Sequence, residues 1–382
     1  MWRLAEDTLD QSDLDALSDW LREGPQLTQG ELVSQFESAW SQWNGNQYSV
    51  MVTSGSTANL ALTTAIAGFG RARPLRIGVA AVTWPTNITP AMMLGHDLHL
   101  IDVDRTTLGI DRTIAQELIQ NGEIDVLFVT HLLGFTALNE ELLRIAEEHR
   151  VPVLEDSCEA HGAMLGSKKV GTLGQAGTFS FYFGHHMSTI EGGMISTDDA
   201  ILADELRLIR NHGLARSVSS FEELAAQYPE IDPLFLFIVS GMNYRSTELN
   251  AFLGLRQLAT LNDRIKQRNQ NLSVFLELIP EWLWSDFSTE GRSSFAIPLI
   301  ADDEVGAKAV ADTVQRLGIE SRPVVGGNLS VQPFLASYPH RSTPWGLPVA
   351  SHIQKYGKYV GNGHHVEPGM VEELCVALKG SR

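Results

Sequence analysis

The 382-residue chain holds two cysteines, Cys158 and Cys375, too far apart for any metal-ligand spacing. Cys158 follows an apolar strand pattern and reads as a small buried thiol, and so little thiol fits a reducing cytoplasm. Basic residues are scarce, with 28 Lys and Arg against 46 Asp and Glu and a formal net charge of −18. That balance argues against nucleic acid or an anionic membrane as the main partner. Any phosphate-bearing ligand must be held by local donors against an unfavourable mean field. No apolar run approaches membrane-spanning length. The start, Met1-Trp2-Arg3-Leu4-Ala5-Glu6-Asp7, lacks a charged region followed by an apolar stretch, so no signal peptide is expected. There are no repeats or low-complexity runs. One further absence is local: no lysine occurs between Lys169 and Lys266.

What is present is an alternation of short apolar runs with longer amphipathic ones. Strands are expected over residues 48–52, 76–80, 97–101, 126–129, 151–155, 179–183 and 193–196. Helices are expected over 56–68, 139–149 and 200–211. Strands separated by such helices need crossovers, which predicts an α/β fold with a mostly parallel, doubly wound sheet. Helical spacing over 246–279 then bridges to a smaller domain with a strand at 294–300, a helix at 303–317 and a turn at Glu320-Ser321-Arg322-Pro323. The division is placed between residues 1–255 and 256–382.

Three segments carry chemistry. Ser54-Gly55-Ser56-Thr57-Ala58-Asn59-Leu60 follows a strand and opens a helix, a place suited to a phosphate and equally to an ordinary N-cap. Leu154-Glu155-Asp156-Ser157-Cys158-Glu159-Ala160-His161-Gly162 ends a buried strand on an acidic residue. Gly177-Thr178-Phe179-Ser180-Phe181-Tyr182-Phe183-Gly184-His185-His186-Met187-Ser188-Thr189-Ile190-Glu191-Gly192-Gly193 reads as a buried strand running into a turn and a Glu-Gly-Gly bend.

This third segment resembles the cofactor-lysine segment of the pyridoxal phosphate (PLP) dependent sugar aminotransferases of the DegT/StrS type. The resemblance extends over nearly the whole chain, from Leu27-Thr28-Gln29-Gly30 to Tyr359-Val360-Gly361-Asn362. It implies a fold type I PLP-dependent transferase, with a large cofactor-binding domain and a small α+β C-terminal domain. In that family a lysine six residues before the Glu-Gly-Gly forms the Schiff base, and here that residue is His185. An imidazole cannot form a stable aldimine, yet it moves protons near neutral pH. His185 is thus the expected catalytic residue, with His186 its rival in the same turn. Lys168 and Lys169, in an expected exposed hairpin, offer no replacement amine.

The resemblance also implies the cofactor contacts. Asp156 would face the pyridine nitrogen, unless it merely caps a turn. Gly55, Ser56 and Ser180 would hold the phosphate. Trp84, before Pro85 at a strand end, would stack on the ring or else belong to the core. Glu159 would orient the ring's substituents or form a hydrogen-bonded outer layer, as would His161. Asn243, in Gly241-Met242-Asn243-Tyr244-Arg245, would reach the phosphate of a neighbouring subunit, implying a homodimer with shared active sites. His212, Arg216, Arg322 and His352 are candidate substrate contacts, each equally a surface salt-bridge partner.

Relatives bearing histidine at this position resemble 3-dehydratases. Some carry a [2Fe–2S] cluster and work with a reductase, and such clusters are held by four cysteine thiolates. Two cysteines cannot supply them, so no iron–sulfur cluster, metal or reductase is expected. The implied reaction uses non-covalently held PLP and pyridoxamine phosphate, L-glutamate as amino donor, and a nucleotide-linked 4-keto-6-deoxy sugar. GDP-4-keto-6-deoxy-D-mannose is the leading candidate. A sugar aminotransferase and a non-catalytic PLP-binding protein are the alternatives.

Overall fold

Runs of apolar residues that are buried on both faces form the strands of a central sheet. In the computed structural model, which describes residues 1–68 and 73–382, they are β1 (Tyr48–Val52), β2 (Arg76–Ala80), β3 (Asp97–Ile101), β4 (Val126–Thr130) and β5 (Val153–Asp156). A small hairpin follows, β6 (Met164–Leu165) and β7 (Lys168–Lys169), and then β8 (Ala176–Ser180) and β9 (Gly193–Thr197). The C-terminal part adds β10 (Ala296–Ile300), β11 (Ser321–Pro323), β12 (His340–Ser342) and β13 (Gly357–Gly361). The large sheet runs β1-β9-β8-β5-β4-β2-β3-β12, and the small one β10-β13-β11. In the large sheet β9 is antiparallel to both neighbours, and the remaining pairs are parallel.

Register decides where the site sits. Thr130 pairs with Asp156, and Asp156 with Thr178, so the C-terminal ends of β4, β5 and β8 emerge side by side. Open parallel sheets bind ligands at this edge. The helix Gly55–Ala67 starts there too, fixed by a reciprocal cap. Ser54 Oγ accepts from Thr57 N at 3.1 Å, and Thr57 Oγ1 accepts from Ser54 N at 2.9 Å.

The helical pattern over 246–279 is two helices, Glu248–Leu258 and Leu261–Leu278. At the break, the N–H and hydroxyl of Thr260 both turn back to the Gln257 carbonyl. The first helix packs on Glu31–Asn44, with Gly254 against the Phe36 ring, and the second packs on Pro368–Lys379. Each buries one stripe, so the apolar spacing runs through the bend unbroken. A division between residues 255 and 256 falls inside the first of these helices, and β12 joins the large sheet from beyond it.

The strand expected at 179–183 ends at Ser180. Phe181 is apolar because it packs on Phe36 and Trp40 in a second core, whereas Tyr182 and Phe183 line a cavity. The expected turn at 320–323 is edge strand β11, paired with β13. The hairpin at 168–169 forms, but Lys169 is half-buried, with its ammonium 4.1 Å from the Trp43 ring centroid.

Candidate active site

A cavity of about 300 Å³ opens where β4, β5 and β8 end, roofed by the small sheet and by residues Leu4 to Glu6. At its back lies Asp156, 4% exposed. Its Oδ2 accepts from Asn59 Nδ2 at 2.9 Å and Asn87 Nδ2 at 2.8 Å, and its Oδ1 accepts from Cys158 N at 2.9 Å. Thr178 donates to Asn59 Oδ1 and Thr83 to Asn87 Oδ1, which fixes both amides with their NH₂ groups toward the carboxylate. Among the described residues no cationic side chain pairs with Asp156. A buried carboxylate so arranged is built to receive a cationic donor from the cavity.

At the other end, the helix Gly55–Ala67 points its N-terminus into the same space, with Gly55, Ser56 and Ser180 on the lining. First-turn N–H groups and the dipole suit an anion. Gly55 cannot be larger, since an added Cβ would lie 2.9 Å from Cys158 Sγ. Ser180 Oγ accepts from Tyr182 N at 3.4 Å, leaving its own hydrogen to donate. Trp84 is 53% exposed and lines the cavity, so it is a wall of the site and not a core residue.

His185 stands on the turn after β8, its N–H donating to the Tyr182 carbonyl at 2.9 Å. Its ring packs on Phe295 (5.3 Å between centroids) and His161 (6.2 Å). Nδ1 is buried without a partner, which leaves Nε2 as the cavity-side atom. Burial pushes its pKa down to about 4; the Asp156 carboxylate opposes this and the Arg268 guanidinium adds to it. His185 is therefore a neutral base at pH 7. His186 faces away, with Nε2 3.2 Å from the carbonyl and hydroxyl oxygens of Ser293. His161 is enclosed by Trp40, Phe179 and Phe181 and is likewise off the cavity wall.

Glu159 lines the cavity and accepts from Leu133 N at 2.9 Å. Burial raises its pKa to about 7; the Leu133 N–H opposes the rise and the Asp156 charge adds to it. Cys158 also lines the cavity and is more than core packing, with burial and Asp156 keeping its thiol protonated.

Of the candidate substrate contacts, Arg322 lines the cavity. His352 does not: its Nε2 lies 2.8 Å from the Ala301 carbonyl and its ring stacks on Trp284, so it is a packing residue of the small domain. His212, Arg216 and Asn243 are also off this chain's cavity. All three are exposed on one connected surface, where Asn211 bridges to Asn243. Sequence reading missed Asn59, Asn87, Arg268, Phe295 and Tyr359. Only Asn59, a lone amide in the apolar helix Gly55–Ala67, left a signal.

Residues 7–378 match the model of the DegT/DnrJ/EryC1/StrS aminotransferase family. The chain is 34% identical to a GDP-4-keto-6-deoxy-D-mannose 3-dehydratase of Yersinia pseudotuberculosis, covering 95% of this chain and 94% of that one. The E. coli GDP-4-keto-6-deoxy-D-mannose-3-dehydratase with bound hydrated PLP superposes with a TM-score of 0.90 at 30% identity, over 99% of both chains. A mutant GDP-4-keto-6-deoxymannose-3-dehydratase with bound GDP-perosamine gives the same TM-score and identity, over 99% of this chain and 100% of that one. The chain belongs to the DegT/DnrJ/EryC1/StrS aminotransferase family.

Proposed function

We propose that the protein is a pyridoxamine phosphate-dependent 3-dehydratase acting on a nucleotide-linked 4-keto-6-deoxy sugar. GDP-4-keto-6-deoxy-D-mannose is the substrate and L-glutamate the amino donor. One observation carries the reading: a neutral imidazole, His185, faces a cavity that no lysine lines, opposite a buried carboxylate lacking a counter-cation. The cavity fits the cofactor. Asp156 takes the ring nitrogen, Trp84 the ring face, and the N–H groups at Gly55 and Ser56 with the Ser180 hydroxyl take the phosphate. No covalent tether is available.

When bound, pyridoxamine phosphate supplies the amine that engages the C4 ketone and a conjugated ring that takes up electrons. The protein supplies the proton traffic. With the cofactor bound, Nε2 of His185 would hold the proton taken up beside that amine and would deliver it to the departing C3 hydroxyl, which leaves as water. Glu159, poised near neutrality, holds or releases a proton on the same wall. Atoms and electrons balance overall: sugar and L-glutamate give the 3-deoxy-4-keto sugar, 2-oxoglutarate and ammonia, with the oxidation of glutamate supplying the two electrons that reduce C3. Replacing lysine by histidine removes the amine that would compete for the cofactor.

The site is completed by a second copy of the chain. Asn243, His212 and Arg216 lie on an exposed loop surface that also carries Phe235, Phe237 and Met242, large apolar groups open to solvent. Such a patch marks an interface. A homodimer that buries it sets Asn243 at the partner's phosphate. Among the described residues no helix is long and apolar enough to cross a membrane, and a cytoplasmic location suits a nucleotide-sugar enzyme.

GDP-, CDP- and dTDP-4-keto-6-deoxy sugars, incubated with protein, PLP and glutamate, test the reaction. Ammonia release with loss of the C3 hydroxyl, fastest for the GDP sugar, is expected. A stable amino-sugar product would identify a transaminase instead.

A further inference from the structure

The floor of the cavity holds a charge that the chemistry above does not use. Arg268, on the helix Leu261–Leu278, is 4% exposed and touches the cavity. Among the described residues no carboxylate pairs with it, and its Nε is buried without an acceptor. Burial weighs so heavily against its charge that its pKa falls to about 9. An unpaired buried guanidinium is costly, and an apolar residue would normally replace it.

Its two terminal nitrogens have definite targets. Nη1 donates to the carbonyl of Phe295 at 2.8 Å, and Nη2 to the carbonyl of His185 at 3.2 Å. The helix is itself anchored, since Asn362 Nδ2 donates to the Arg268 carbonyl at 2.8 Å. One fork thus ties the backbone of the turn that carries the imidazole to the backbone of the residue whose ring the imidazole packs on. The two carbonyls belong to different parts of the fold, the turn after β8 and the approach to β10.

We propose that Arg268 is a positioning residue for His185. Its fork sets the imidazole against Phe295, and its positive charge adds to the burial that disfavours the imidazolium and offsets part of the Asp156 charge. The groups facing His185 divide by sign. Asp156 at the end of β5 favours the imidazolium, and Glu159 in the following turn would do so when ionised. Arg268 opposes it. His161 and His186 are themselves held neutral by burial, with Arg268 adding to the effect on each, and Tyr182 and Phe295 contribute rings without charge. Arg322 and Glu320 stand on the outer wall. Without Arg268 burial would still disfavour the imidazolium, but the Asp156 carboxylate would act unopposed by any other charge and His185 would take up its proton at a higher pH.

This inference rests on His185 being the base, so the test includes a readout independent of turnover. The His185 ring resonances, assigned by their loss in His185→Asn, are titrated by NMR in the cofactor-loaded protein and in two variants. In Arg268→Met the imidazole midpoint should rise by about one pH unit, and the acid limb of kcat should move with it. The kcat plateau should fall about tenfold, with KM for the sugar within about threefold of the parent. In Arg268→Lys, which keeps the charge and loses the fork, the midpoint should stay and the plateau should still fall. An unshifted midpoint in Arg268→Met overturns the electrostatic role whether or not the enzyme is a dehydratase. Parent-like kcat in Arg268→Lys overturns the positioning role, and should Arg268→Met not fold, a shifted midpoint in Arg268→Lys overturns the electrostatic one. A change confined to KM would make Arg268 a ligand contact and also overturn the proposal. If instead the parent protein releases no ammonia, the function fails while the titration still decides Arg268.

Discussion

Gly55 lies so close to Ser180 that a Cβ built on the glycine would stand 2.7 Å from the serine's own Cβ. The contact joins the first residue of a helix to the last residue of a strand, and it sets the spacing of the anion-binding end. Both partners are short, so neither can swing aside.

Gly55→Ala should therefore push the helix N-terminus off β8. We expect a loss of about 1–3 kcal/mol in stability, the usual range for overpacking a tight site. Affinity for PLP should fall more than affinity for the sugar, because the displaced N–H groups serve the phosphate. Cofactor titration followed by absorbance, beside thermal unfolding, checks both. Unchanged PLP affinity would remove this segment from the phosphate site.

His185→Lys restores a primary amine at the position the family uses for its covalent bond. With PLP and borohydride this variant should give a protein–cofactor adduct fixed at residue 185, detectable by peptide mass, and should lose dehydration. The unmutated protein should give no fixed adduct. Fixation in the unmutated protein would mean that another amine reaches the cofactor.

The buried titratable groups give the cofactor-free protein a two-sided pH dependence. His161, His185 and His186 have pKa values lowered by burial, so the stability they contribute is present above about 6.5 and is lost as pH falls; for His185 the loss continues to about 4. Glu159 has the opposite sign. Its pKa rises from 4.5 to about 7, so its contribution is full below 4.5 and is lost as pH climbs to 7. Glu159→Gln should remove this second slope and stabilise the protein at pH 8 by about 3 kcal/mol at most. Urea unfolding at pH 5 and pH 8 measures it, and an equal effect at both values would contradict the assignment.

How much of this was legible follows from what each residue's signal depends on. Strands of the central sheet announced themselves because burial on both faces makes them continuous apolar runs. The bend at Thr260 was hidden, since both flanking helices bury a stripe of the same period. Asp156, Ser180 and Trp84 sit at strand ends within segments that resemble the family's, and that resemblance pointed to them. Arg268 lies between Gln267 and Asn269 on a polar helix, and nothing local distinguishes it from a solvated arginine. Its role exists only because the chain brings the turn after β8 and Phe295 to it. His352 was misplaced for the converse reason: a histidine stacked on Trp284 looks, in sequence, like any histidine free to meet a ligand.

The shared-site proposal can be decided by mixing subunits. His185→Ala lacks the base, and Asn243→Asp sets an anion beside the cofactor phosphate, so each homodimer should be nearly inactive. When the two are co-refolded in equal amounts, half of the dimers are mixed. If Asn243 serves its partner's site, each mixed dimer keeps one intact site, formed by His185 of one subunit and Asn243 of the other. Activity should then recover to about one quarter of the parent value, from the two-fold symmetry of the arrangement. If Asn243 served its own subunit, both sites of the mixed dimer would be damaged and nothing would return. A mixture that stays inactive while light scattering shows dimers would overturn the shared site, and an Asn243→Asp homodimer with parent activity would place Asn243 outside the active site.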